Sequence, residues 1–228
     1  MELRSDRHNH YNLENKDIEL VQKAKESAEI SNLERGDNNY SVWLEHKSFR
    51  IALISTFTAL GLVLGYLLAY IPNIEVFTLT NFLSGFMLGK RDGMIVGFLS
   101  SLIFCFFNPL GASPLPLLAF QLTHYTLTGL LGALTNEFLN KQSFFTIDDD
   151  LYKIPVMVIF GILGASITIS FQIFSSLVDV LSYFGTIDEF LPYFLTGIPF
   201  TITHIIGNTL GFIFILPGLI QIVHKMLY

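Results

Sequence analysis

The side chains able to bind or react in the apolar part of this chain of 228 residues fall at helical spacings. Gln121, His124, Tyr125 and Thr128 stand at i, i+3, i+4 and i+7, so a helix puts all four on one face. Thr168, Gln172, Ser175 and Asp179 form a second stripe, and Thr201, His204 and Asn208 a third; Asn81 is followed by Ser84 and Gly85. Polar groups are costly in hydrocarbon, so inside a membrane segment they are read first as functional. Isolated Thr and Ser also serve as hydrogen-bonded glue between helices. Three stripes that include Gln121, His124 and Asp179 are more than glue requires, and they point to a ligand pocket. Glu75 fits equally a site acid at the mouth of that pocket or a solvated loop acid.

The chemistry of turnover is missing. The chain has no Gly-rich phosphate loop ending in Lys and Ser/Thr, no His-Glu-x-x-His, no paired cysteines and no Gly-x-Ser-x-Gly. The reading is therefore a protein that is not an enzyme, with no cofactor and no metal site. Cys105 lies alone in an apolar run and reads as a small buried hydrophobe. His8 and His10, in a polar tail, read as solvated side chains.

The elements that must position these residues are membrane helices. Residues 1–46 hold six of the thirteen Lys and Arg and ten of the nineteen Asp and Glu, a polar acidic tail, mobile or weakly helical. Beyond it, one domain over 47–228 carries apolar runs at 51–70, 76–88, 94–107, 115–139, 154–181 and 191–223. Runs this long and continuous predict helices, not barrel strands, and about 20 residues suffice to cross the hydrocarbon core. The fold class is all-α, a polytopic six-helix bundle. The second run is short and needs its preceding turn to complete a crossing. The segment Lys90-Arg91-Asp92-Gly93 reads as a tight polar turn.

Basic residues orient the bundle. With the N-terminus inside, Lys47, Arg50, Lys90, Arg91, Lys141, Lys153 and Lys225 all fall on the inner side, and the outer loops have no Lys or Arg. Both ends are then cytoplasmic, in a multi-pass protein of the cell membrane. The net charge of −6 argues against nucleic acid. The outer half holds Glu75, Asp179, Asp188 and Glu189 without a fixed cation, which favours a neutral, zwitterionic or cationic solute. Small residues at Ser55/Ala59, Gly61/Gly65 and Gly85/Gly89 mark close helix approaches.

Several stretches together resemble the substrate-binding components of energy-coupling factor (ECF) transporters. They are Pro72-Asn73-Ile74-Glu75 leading into the second run, Gly-Lys-Arg-Asp-Gly at 89–93, Phe107-Asn108-Pro109-Leu110-Gly111, and Leu-x-x-Gln121-x-x-x-Tyr125-x-x-x-Gly129-x-x-Gly132. The likeness covers about residues 48–225. It implies a six-helix binder that captures a vitamin or similar micronutrient from outside, served by a transmembrane coupling subunit and two cytoplasmic ATPases. The family's first helix bears an Ala-x-x-x-Ala docking surface; Ser55-x-x-x-Ala59 with Ala52 is the nearest match, and it departs from that pattern. The family pocket lies on the outer side between the last three helices. The resulting site set is Gln121, His124, Tyr125, Gln172, Asp179 and His204, with Glu75, Asn81 and Asn108 towards the mouth. The nickel and cobalt members carry ligands at the extreme N-terminus, where this chain has its acidic tail. A ligand-free scaffolding membrane protein and a self-sufficient facilitator are the rival readings.

Overall fold

Helix α1 spans Lys47–Leu68, α2 Phe77–Leu88, α3 Lys90–Phe106, α4 Leu115–Leu139 and α5 Ile154–Tyr183. A 3₁₀ turn at Ile187–Glu189 leads into the short α6, Phe190–Thr196, followed by α7, Ile198–Leu210, and α8, Leu216–Leu227. The computed structural model describes residues 46–71, 75–108 and 111–227. His8 and His10 lie outside them. Among the described residues there is no strand.

Among the described residues, four helices are long and apolar enough to cross a membrane: α1, α4, α5 and the continuous rod Ile198–Leu227. The described part of the chain is thus all-helical, with membrane-spanning character. The α2 helix has 12 residues, all buried except Leu88. At about 1.5 Å per residue it covers roughly 18 Å, well short of a hydrocarbon core of about 30 Å. The 17 residues of α3 cover roughly 26 Å.

Two boundaries differ from the sequence reading. The charged segment at 90–93 is the first turn of α3, and the turn contracts to Gly89 alone, at φ 87°. That φ lies in the left-handed region open to glycine. Helix is favoured at once because Asp92, in the first turn, meets both the helix N-terminus and Arg50, at 2.7 Å. The last apolar run breaks at Gly197, ahead of Pro199, which cannot donate a helical hydrogen bond. The long rod therefore starts later than residue 191. It carries a π-helical turn at Gly211–Ile215, and the Tyr152 hydroxyl donates to the carbonyl of Phe214 at 2.9 Å.

Helices α2, α3 and α4 pack with backbones in contact. A Cβ on Gly85 would sit 1.7 Å from the carbonyl oxygen of Gly129, and one on Gly129 would sit 2.2 Å from that of Gly93. Only glycine permits such an approach. Below this contact the core is aromatic: Phe82 meets Phe212 at 5.1 Å between ring centroids, and Phe86 meets Phe160 at 6.1 Å. One end of the bundle gathers the basic residues in ion pairs. Arg50 binds the buried Asp92, Lys90 binds Glu137 at 2.8 Å, and Lys153 binds Asp149 at 3.1 Å.

Candidate functional site

At the opposite end, polar side chains from four segments meet in the interior. Glu75, on the connection just ahead of α2, supplies the acid. The Nε2 of His204, on α7, lies 3.1 Å from Glu75 Oε1. On the far side of the imidazole, Gln172 of α5 donates to Nδ1 at 2.7 Å. With Nδ1 accepting from the Gln172 amide, the Nε2 proton is the one that faces the carboxylate. One turn along α7, Asn208 Nδ2 donates to Glu75 at 3.3 Å and to Thr168 Oγ1 at 2.9 Å. The Thr78 hydroxyl donates to the same carboxylate oxygen, and Tyr125 stands beside it.

The cluster is largely buried. Side chains of His204 and Glu75 are 8% and 19% exposed, and Thr168 and Asn208 are buried. One carboxylate oxygen of Glu75 gathers donors from His204, Thr78 and Asn208. No Lys or Arg joins the cluster among the described residues. A carboxyl group buried in this position retains a strong preference for a further donor or cation.

Aromatic rings frame the network. Phe77 stacks on Phe104 at 4.7 Å and meets Tyr125 edge-on at 4.8 Å. Phe171 stands between the two histidines, 5.1 Å from the His124 ring and 6.1 Å from that of His204. Several buried acceptor or donor atoms here have no partner: Gln121 Oε1, His124 Nε2 and Asn208 Oδ1.

Of the residues read from the sequence, Glu75, Tyr125, Gln172 and His204 come together. Gln121 and His124 lie on α4 at the edge of the same aromatic frame, without hydrogen bonds into it. Asp179 does not join them. It pairs with the Tyr193 hydroxyl at 3.3 Å, near the end of α5. Asn81 faces α3, where it accepts from Ser100 at 2.7 Å and donates to the Phe77 carbonyl at 2.9 Å, which ties two helices. Asn108 follows α3, and its carbonyl accepts from Gly111 at 2.9 Å. Ala52, Ser55 and Ala59 are exposed on one face of α1.

Thr78, Thr168 and Asn208 complete the network beyond that site set. Thr168 and Asn208 already stood on the polar stripes of their runs. Thr78 had one weak signal, its position three residues after Glu75 at the start of a helix.

The chain matches no family model, no curated protein and no solved structure.

Proposed function

We propose that this protein is the membrane-embedded substrate-binding subunit of an ECF-type importer in the cell membrane. It captures a vitamin-like solute from the outer side and relies on a coupling subunit and two cytoplasmic ATPases for energy. The observation that carries this reading is the convergence of Glu75, Thr78, Thr168, Gln172, His204 and Asn208 in a largely buried cluster at the acidic end. Glue between two helices needs a pair of such groups, not a carboxyl group brought in from a connecting segment. A solute bearing a donor or a positive charge offsets the desolvation of Glu75, and the rings of Phe77, Tyr125 and Phe171 offer flat apolar walls.

Six crossings with both ends inside agree with the ion pairs at the basic end. Lys90, beside the Gly89 turn, reaches Glu137 near the end of α4, and Arg50 at the start of α1 reaches Asp92. The hairpin of α2 and α3 therefore extends to the face where α1 begins. The exposed Ala52, Ser55 and Ala59 leave a low ridge on α1 for a coupling subunit.

Mass spectrometry of small molecules co-purifying with the detergent-solubilised full chain tests the reading. A retained solute that Glu75→Gln and His204→Ala both release is expected. The scaffolding alternative draws on the way Thr168, Asn208, Gln172 and His204 satisfy one another. It predicts that no solute co-purifies and that neither substitution changes what does.

A further inference from the structure

A separate hollow of about 220 Å³ opens between α4 and α5, lined among others by Phe120, His124, Leu127, Leu131, Ile167 and Phe174. Its rim residues Leu127 and Phe174 are each 53% exposed, on two helices long and apolar enough to span a membrane. The opening therefore faces hydrocarbon. For scale, an apolar cavity of about 150 Å³ accepts benzene, so this one takes a ring-sized group with a substituent.

The lining is not uniformly apolar. The hydroxyls of Thr123, Thr128 and Ser170 donate to carbonyls of their own helices. His124 is different: its buried Nε2 has no partner. His124 stands nine residues into α4, about 14 Å along the axis, near mid-depth of a bilayer core of about 30 Å. An unsatisfied polar atom there is costly, and water is not at hand to relieve it. A phospholipid keeps its ester and head group at the interface, so it does not supply the partner. The His124 ring itself lines the hollow, and its second side-chain torsion is broad, so a turn of the ring is what would bring Nε2 to a bound molecule.

We propose that the α4–α5 hollow binds a small, neutral, lipid-soluble molecule that carries one hydroxyl or carbonyl group and hydrogen-bonds His124 from within the bilayer. The site lies beside the solute cluster around Glu75, with the Phe171 ring between the two histidines. The ligand enters sideways from lipid, and the apolar walls select for low polarity while His124 selects for the single polar group.

The full chain in phosphatidylcholine nanodiscs is photolabelled with a benzyl alcohol bearing a trifluoromethyl diazirine. In parallel it is labelled with the same diazirine on an unsubstituted phenyl ring. Peptide mapping is expected to show saturable labelling at 119–131 and 167–174, about tenfold stronger for the alcohol, and displaced by unlabelled benzyl alcohol. His124→Phe removes the excess of the alcohol over the phenyl probe. Leu127→Trp, on the rim, removes saturable labelling by both. Glu75→Gln leaves the labelling unchanged, so loss of the solute site and loss of this one read out separately. Even, unsaturable labelling of all lipid-facing helices, or an excess that survives His124→Phe, overturns the proposal. If His124→Phe does not fold, saturable labelling retained in Leu127→Trp overturns it equally.

Discussion

His204 Nε2 lies 3.1 Å from Glu75 Oε1 although 129 positions separate the two residues. The contact fastens the connection ahead of α2 to α7, and the Gln172 amide behind the imidazole fixes which nitrogen faces the acid. Removing the ring strands two partners at once. His204→Ala is expected to destabilise the protein by roughly 1–3 kcal/mol, the penalty for leaving buried hydrogen-bonding groups unmade. His204→Gln, whose amide can still donate to Glu75, should recover part of that loss. Thermal unfolding of the two variants in one detergent checks the order; equal stability of His204→Ala and the parent protein would falsify the network's structural role.

The glycine contacts between α2, α3 and α4 set a different scale. A methyl on Gly85 meets the Gly129 carbonyl oxygen at 1.7 Å, a backbone atom that no rotamer change can move. Gly85→Ala and Gly129→Ala should each force helix separation, at a cost of 1–3 kcal/mol or more, a rough scale for overpacking. Gly89→Ala meets open space and only the strain of φ 87°, about 1 kcal/mol. Monodisperse yield and melting temperature should therefore fall far more for the first two than for the third.

Much of the polar cluster was legible in the sequence because helical spacing dictates faces. Gln172 and Thr168 had to share a face of α5, and His204 and Asn208 a face of α7, and these pairs do meet. Asp179 shows the limit of that reasoning. It lies on the same stripe as Gln172 but seven residues on, about 10 Å further along the axis, so it reaches Tyr193 instead of the acid. Sharing a face is not sharing a depth. The helical start at Lys90 was hidden for another reason. Three charges in a row resemble a turn until Arg50, 42 positions away, is known to neutralise Asp92. Thr78 had only the weak signal of its spacing from Glu75, because its partner sits on a connection whose path no periodicity fixes.

The Arg50–Asp92 pair makes its own prediction. Asp92 is nearly buried, its side chain 6% exposed, while that of Arg50 is 39% exposed. Losing the guanidinium leaves the carboxylate in the interior with its charge uncompensated. Solvent screening of the half-exposed arginine lowers the penalty below that of a fully buried pair, to roughly 1–3 kcal/mol for Arg50→Ala. A double-mutant cycle with Asp92→Ala should return a coupling of the same sign and similar size. Strict additivity of the two single changes would show the pair to be unimportant for holding α1 against α3.

Topology is the last consequence. If the Gly89 turn lies on the cytoplasmic face, as the proposed topology has it, a cysteine placed beside it is shielded from outside. Arg91 and Ser182 are both exposed, at opposite ends of the bundle, and the native Cys105 is buried. In intact cells, a membrane-impermeant maleimide should label Ser182→Cys and not Arg91→Cys; after permeabilisation both should react. A hairpin that dips only partway would leave the turn in hydrocarbon, where neither condition labels Arg91→Cys. An inverted bundle would exchange the two results. Ordinary positive-inside asymmetry, with seven Lys and Arg from position 47 onward all at one end, makes the first pattern the expected one.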